Sequence, residues 1–370
     1  MSVLRDSGGV QGLGMVLGLL AAVALAVAGA GGQPDILPMA ALLGAVLVWL
    51  SMPRLSGTAQ LAATGALALA LFLAATGLTA GPMGHPSFWA AVIAVWLGAW
   101  LLVALFADLP RRAGLIGSVQ RLLAPLTVGA TLLWLWEVTV RGLEVPRVIL
   151  PAPSAIWDRI LRSTDVLWVD FVQTFVKGAL SGYAIGVGAA LVFALVVDRY
   201  DFLRRGLLPV GNFLAALPII GTAPIMVMWF GFDWPSKAAV VVAMVFFPML
   251  VNTVQGLTAT EAMQRDLMRT YSATWGQGLL KLRLPAAMPF IFNGLKISST
   301  LALIGAIVAE FFGSPTRGMG FRISTEVGRL QLDMVWAEIA VAALAGSLFY
   351  GLIALVERWV TFWHPSQRGR

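Results

Sequence analysis

Apolar runs of about twenty residues, separated by short polar breaks, recur along the chain. They fall near residues 10–31, 36–52, 58–80, 87–107, 122–140, 168–197, 207–230, 237–255, 290–312 and 333–357. The breaks carry turn residues and charge, as in Gly32-Gln33-Pro34-Asp35, Ser51-Met52-Pro53-Arg54 and Asp108-Leu109-Pro110-Arg111-Arg112. A helix rising about 1.5 Å per residue needs about 20 apolar residues to cross the hydrocarbon core of a bilayer. The pattern therefore predicts an all-α, polytopic membrane protein with about ten transmembrane helices. The run at 36–52 is short enough to be re-entrant, which would leave about nine. The run at 10–31 exceeds the apolar stretch of a secretory leader, about 7–15 residues, and is read as a span.

Composition agrees with this class. Hydrophobic residues make up 59% of the chain and charged residues 12%, about half the charged share of soluble domains. The 14 Trp and 39 Gly suit interfacial aromatic belts and close helix packing in lipid. A net charge of +7 does not point to nucleic acid, because the basic residues are scattered through short loops. The absence of cysteine excludes disulfides, thiolate chemistry and Cys-based metal sites. His85 and His364 each stand alone in polar breaks, short of the convergent ligands a metal centre needs. With the N-terminus placed in the cytoplasm, inside segments receive Arg111, Arg112, Arg204, Arg205, Arg265, Arg269, Lys281 and Arg283. Outside segments receive fewer, among them Arg141, Arg147, Arg159, Lys237 and Arg317. The bias puts both termini in the cytoplasm of a multi-pass protein of the bacterial cytoplasmic (inner) membrane. The first four runs hold almost no polar residues, whereas later ones carry Pro, Asn, Lys and Glu. A soft boundary near residue 115 thus separates an accessory bundle, 1–115, from a working core, 116–370.

The connection at 256–288 is too polar to remain in lipid. Within it Leu267, Met268, Tyr271 and Trp275 recur at helical spacing, while Arg265, Asp266 and Arg269 point elsewhere. This reads as a short amphipathic helix around Asp266–Trp275. Periodicity alone leaves two uses open: docking into a groove of another protein, or lying on lipid headgroups.

The same segment resembles the EAA loop of ABC importer permeases: Glu-Ala-Ala, three residues, Gly, nine residues, Ile, one residue, Leu-Pro. Asp266-Leu267-Met268 takes the first place, Ser272 the Gly, Leu282 the Ile, and Leu284-Pro285 the Leu-Pro. Ser272 departs from the pattern where Gly would tolerate positive φ at little cost. Three further stretches resemble the nitrate/sulfonate/taurine-type permeases. They are Leu150-Pro151-Ala152-Pro153-Ser154, Leu217-Pro218 through Pro224 with Trp229-Phe230-Gly231, and Ala309-Glu310 through Gly313 followed by Gly318-Met319-Gly320. The likeness spans roughly 121–365 and implies a six-helix type I ABC importer permease core with two copies forming a central pathway. It also implies a separate cytoplasmic ABC ATPase subunit carrying ATP and Mg, and a periplasmic or extracytoplasmic substrate-binding protein. No phosphate-cradling Gly-x-x-x-x-Gly-Lys-Ser/Thr occurs in this chain, so ATP hydrolysis is expected on another polypeptide and no enzymatic chemistry here. The resemblance assigns ATPase coupling to Asp266, Leu267, Met268, Tyr271, Ser272, Ala273, Thr274, Trp275, Leu284 and Pro285. It implies a sulfonate, nitrate or flat heterocycle as substrate, and Thr270–Thr274 and Gly305–Gly320 are most similar to members that carry thiamine-precursor pyrimidines.

Ionisable residues inside spans face protein, water or the interface, because a charge at the bilayer centre costs about 2.5–3.5 kcal/mol even on insertion scales. Lys177, Lys296 and Glu310, with the helix-breaking Pro218, are the candidate substrate-path residues; Glu137 and Glu338 are weaker candidates. Internal ion pairs and interfacial anchors are the competing readings. Gly178, Gly182 and Gly186 form a small-residue face read as helix packing, with dimerisation as the alternative. An ion-coupled secondary transporter or channel would call for repeated mid-membrane acids and inverted symmetry, neither of which is evident. The charge bias generates a direct test. A cysteine introduced at Gln264, on this cysteine-free background, should be shielded from an impermeant thiol reagent in intact cells and labelled in inverted vesicles; labelling in intact cells rejects the orientation.

Overall fold

A computed structural model of the chain describes residues 58–80, 83–84, 86–108, 114–200, 202–203, 205–206, 219–313 and 316–363. The predicted runs at 10–31 and 36–52, and Pro218, lie outside the described residues. Among the described residues there are helices and no strands, as a chain that must satisfy its backbone within lipid requires. Six helices among the described residues are long and apolar enough to cross a membrane: Phe88–Ala107, Gln120–Gly142, Thr164–Arg199, Trp234–Thr258, Trp275–Phe312 and Leu332–Val360. Two shorter apolar stretches, Leu67–Thr79 and Gly221–Phe230, accompany them. The chain divides into two compact units, Met1–Ala155 and Ile156–Arg370.

The first unit contains α1 (Thr58–Ala80), α2 (Pro86–Asp108) and α3 (Gly114–Gly142). Leu67, Leu71 and Ala74 of α1 interlock with Ala91, Ala94 and Val95 of α2 in a continuous core. Trp134 of α3 donates its indole N–H to the Ala75 carbonyl at 3.1 Å. Glu137 pairs with Arg141 at 3.3 Å and accepts from the Ser154 N–H and hydroxyl at 2.9 and 2.7 Å. Glu137 thus serves as a local tie.

The remaining elements are α4 (Pro153–Arg162), which runs across the division, and α5 (Thr164–Phe171), continued by a π-helical segment (Val172–Leu180) into α6 (Ser181–Arg199). Then come α7 (Ile219–Phe230), α8 (Trp234–Thr258), α9 (Ala262–Thr270) and α10 (Trp275–Gly278). A second π segment (Leu279–Arg283) leads into α11 (Leu284–Phe312), followed by α12 (Met319–Gly328) and α13 (Leu332–Val360). In the second unit α8 is the hub: it packs against α6, α7 and α11, and Val241, Val245, Met249 and Leu250 are almost completely buried there.

Small residues make this packing close. A Cβ on Gly182 would lie 2.5 Å from the Val241 Cβ, and one on Gly186 would lie 2.4 Å from a Val245 methyl. The predicted small-residue face is therefore filled by α8 of the same chain and packs as expected; it is not a free dimerisation surface. Gly294 and Gly305 of α11 bring Met249 and Met244 of α8 similarly near. Such contacts supply the van der Waals attraction that replaces the hydrophobic effect in lipid. Gly186→Leu should force α6 from α8 and cost about 2 kcal/mol or more, whereas Gly188→Ala, with open space around it, should be silent. Thermal unfolding of the detergent-purified protein measures both.

Candidate functional site

Two groups of polar residues organise the second unit. The first is the α9–α10 connection. α9 begins at Glu261, whose N–H donates to the Gln264 side chain at 3.3 Å. It ends in a Schellman arrangement: the Ser272 N–H reaches the Arg269 carbonyl at 2.9 Å and the Ala273 N–H the Met268 carbonyl at 2.9 Å. This closure requires a left-handed residue, and Ser272 adopts it with φ +52°. The turn expected of Gly is thus kept, at the conformational cost a non-glycine residue incurs. Thr274 then caps α10 reciprocally: its hydroxyl accepts from the Gln277 N–H at 3.4 Å and its N–H donates to the Gln277 side chain at 2.9 Å. The amphipathic helix is accordingly shorter than the sequence suggests, stopping at Thr270 because the backbone reverses at Ser272.

The connection presents apolar side chains to the outside. Met263 is 80% exposed, Leu267 57%, Tyr271 78% and Trp275 41%. Met268 and Ala273 are half-buried, as are Leu284 and Pro285 at the start of α11. Met263 extends the stripe one turn beyond the predicted face. Asp266 and Arg269 pair at 3.6 Å in full view of solvent, an interaction of little energetic weight. Pro285 has no N–H to give, and its ring would press on the preceding turn; the π segment at Leu279–Arg283 widens the helix just there.

The second group is buried. Lys237 of α8 and Glu310 of α11 pair at 3.2 Å with neither side chain exposed. The other Glu310 oxygen accepts from the Thr174 hydroxyl and from the Gly320 N–H, each at 2.8 Å. Thr174 in turn accepts from the Met319 N–H at 2.7 Å, and Asp170 accepts from the Gly318 N–H at 2.7 Å and from Arg322 at 2.8 Å. Three successive N–H groups at the start of α12, which have no partners within that helix, are thus held by side chains from α5, its π continuation and α11. Carboxylates at this end also complement the helix dipole. Gly318 and Gly320 are required by the fit: a Cβ on either would meet Glu310 or the Ile307 carbonyl at 2.2–2.4 Å, and Gly318 has φ +126°. Glu338 is fully buried nearby, and neither of its carboxyl oxygens has a hydrogen-bond partner among the described residues.

These positions sort the predicted path residues. Glu310 is enclosed, with one oxygen accepting two hydrogen bonds and the other facing Lys237 as an ion pair. Lys296 of α11 pairs with Glu357 of α13 at 2.8 Å. Lys177 lies in the π segment with an exposed side chain, and Ser181 donates to its carbonyl. Lys237, assigned by sequence to an outer loop, is instead in the first turns of α8 and wholly buried. Asp170 and Thr174 were not singled out, although a carboxylate two residues inside a predicted span was signal enough. Glu310→Ala would leave Lys237 without its carboxylate, a change worth about 3–5 kcal/mol for a buried pair. Adding Lys237→Met should recover part of that loss. Apparent Tm in detergent is the measurement, and equal values for the single and double variants would remove the pair from the structural account.

The comparisons fit this geometry. A family pattern described as binding-protein-dependent transport system inner membrane component matches residues 182–362. The chain is 30% identical over 241 residues to a probable ABC transporter permease protein of Haemophilus influenzae, covering 65% of this chain and 98% of that protein. It is 29% identical to a formylaminopyrimidine transport permease of Halalkalibacterium halodurans, covering 66% of this chain and 97% of the other. A putative aliphatic sulfonates transport permease of Bacillus subtilis is also 29% identical, over 68% of this chain and 90% of its own length. With helices long enough to span a membrane, and with alignments that run nearly the full length of these relatives, the chain belongs to the family of binding-protein-dependent inner-membrane components, as a permease of the type I ABC importers.

Proposed function

We propose that two copies of this permease form the pathway of an ATP-driven importer, and that the α9–α10 connection docks a separate cytoplasmic ATPase. The observation that carries the reading is the stripe of Met263, Leu267, Tyr271 and Trp275, exposed on a connection whose two turns are rigidly closed by their own hydrogen bonds. An apolar stripe at i, i+4 spacing on a preorganised helix suits insertion into a groove of another protein. ATP and Mg belong on that partner, and an external substrate-binding protein delivers the cargo at the opposite membrane face. Both termini are cytoplasmic in this reading. Residues 116–370 are its working core, and residues 1–115 an accessory bundle.

The pathway assignment rests on Lys177. It is exposed at a position well inside the 36-residue helix Thr164–Arg199, and a lysine there needs water or a partner to hold its charge. Glu310 and Lys296 act beside it by fixing α11, through their pairs with Lys237 and Glu357. A pyrimidine-type heterocycle is the proposed substrate, on the likeness to the formylaminopyrimidine permease, with a sulfonate as the second reading on the likeness to the sulfonate permease.

The docking stripe gives the test. Truncated aromatic hot spots cost about 2 kcal/mol, close to a thirtyfold loss of affinity. Tyr271→Ala with Ser272→Asp should therefore release the ATPase from detergent-purified permease while insertion is unaffected. Ser272→Gly keeps the left-handed turn without a side-chain penalty, so it should retain the ATPase and stabilise the chain by about 0.5–1 kcal/mol. Retention of the ATPase by the first variant makes α9 a lipid-surface helix.

A further inference from the structure

Taking the docking of an ATPase on α9–α10 as given, we infer that Arg283 is the positioning residue that transmits movement of this connection into the transport core. Arg283 ends the π segment before α11. Its Nε donates to the Leu257 carbonyl at 3.0 Å, Nη1 donates to Asp198 Oδ2 at 2.8 Å, and Nη2 donates to Oδ1 of the same carboxylate. Leu257 lies in the last turn of α8 and Asp198 in the last turn of α6. A carbonyl there has no partner in its own helix, and a carboxylate opposes the helix dipole. One guanidinium satisfies both, in the two-pronged geometry that only arginine provides. The Asp198 side chain is 1% exposed, so the grip is desolvated.

The neighbouring residue makes a second grip. Arg199 places its guanidinium 5.0 Å from the centre of the Trp275 ring. Consecutive residues at the end of α6 thus hold both ends of the 275–283 stretch. α9 buries none of its residues, and its turns are closed internally, so the connection moves as a body and its load enters the core at these grips. The receiving helix is continuous from Thr164 to Arg199. At its other end Asp170 and Thr174 hold the start of α12. A displacement at Asp198 therefore reaches the Glu310 cluster along one continuous helix, through the π segment that carries Thr174 and the exposed Lys177.

A staple that only stabilises the fold would predict something different from a transmission residue. The experiment uses the full permease with its ATPase, carrying Ala184→Cys on the exposed face of α6. Maleimide labelling of that cysteine is followed with and without trapping of the ATPase by ATP and vanadate. Trapping should alter the labelling rate in the parent chain. Arg283→Gln and Asp198→Asn should lower Tm, as loss of one partner of a buried pair does. At a temperature where each variant stays folded, they should keep the ATPase bound and hydrolysing while the trapping effect on labelling falls by about fivefold or more. Arg283→Lys, which keeps the charge without the fork, should recover part of it. A full response in Arg283→Gln overturns the inference. So does loss of response only in step with lost stability or lost ATPase, or failure of all three variants to insert. If the parent chain itself retains no ATPase, the docking reading fails, and this inference with it.

Discussion

The start of α12 is held by three side chains from elsewhere, and the rest of the second unit is arranged so that they can reach it. Buried within protein, a helix end cannot turn to water for its unpaired N–H groups. Asp170, Thr174 and Glu310 supply the acceptors, and the buried Lys237 pairs with the Glu310 carboxylate. Each requirement then propagates. Lys237 must sit within reach of α11, which needs α8 against α11. Thr174 must face Met319 and Glu310, which fixes the rotation of the π segment. Gly318 and Gly320 must lack side chains, or the carboxylate of Glu310 could not come so close. Removing any one member leaves a charge or a backbone donor buried without a partner, which is why the cluster behaves as a unit.

Close helix packing serves the same requirement. Gly182 and Gly186 let α6 lie against α8, so Thr174 and Lys237, one on each helix system, both reach Glu310. The Gly178 position is gentler: a Cβ there would stand 3.4 Å from Ala306 and 3.6 Å from the Lys237 Cβ. Small residues in this protein therefore do more than reduce distance between backbones. They set the depth at which charged side chains meet.

Much of this was legible in the sequence, for physical reasons that differ from residue to residue. Span length is dictated by bilayer thickness, so the helices at 58–80, 86–108, 234–258 and 332–360 agree closely with the apolar runs. The α9–α10 connection was placed by its polarity and by the resemblance of the stretch from Asp266 to Pro285 to the EAA loop. The turn itself was marked only by the resemblance, which puts Ser272 in the place of a Gly; a serine by itself carries no sign of the positive φ it adopts. Ion pairs were least legible. Glu310 looked like a path residue because a lone carboxylate in an apolar run signals water; its partner, Lys237, lies 73 positions earlier in a stretch that reads as loop. Asp198 and Arg283, 85 positions apart, likewise carry no sequence sign of their pairing. Pairing across such separations depends on helix rotation, which hydropathy does not encode.

The two π segments bear on how such a lattice of ties can still move. A regular helix shifts as a rod, and a chain held at both ends by buried charges would resist every conformational change. A π turn contains a wider ring with poorer hydrogen bonds, so it is a place where a helix rotates or shortens at low cost. One such segment lies at Val172–Leu180, directly below Asp170 and containing Thr174 and Lys177. The other lies at Leu279–Arg283, between the α9–α10 connection and α11, and contains Arg283. Both adjoin a grip made of charged groups, and both lie on the helices that carry Lys177 or Glu310. The arrangement is that of stiff rods joined to fixed anchors through short compliant turns. Stiffness carries a displacement between the anchors, and the compliant turns let each anchor stay satisfied while the rods change their angle. Satisfying buried polar groups and allowing movement are competing demands in a membrane, and here they are met on adjacent residues of the same helices.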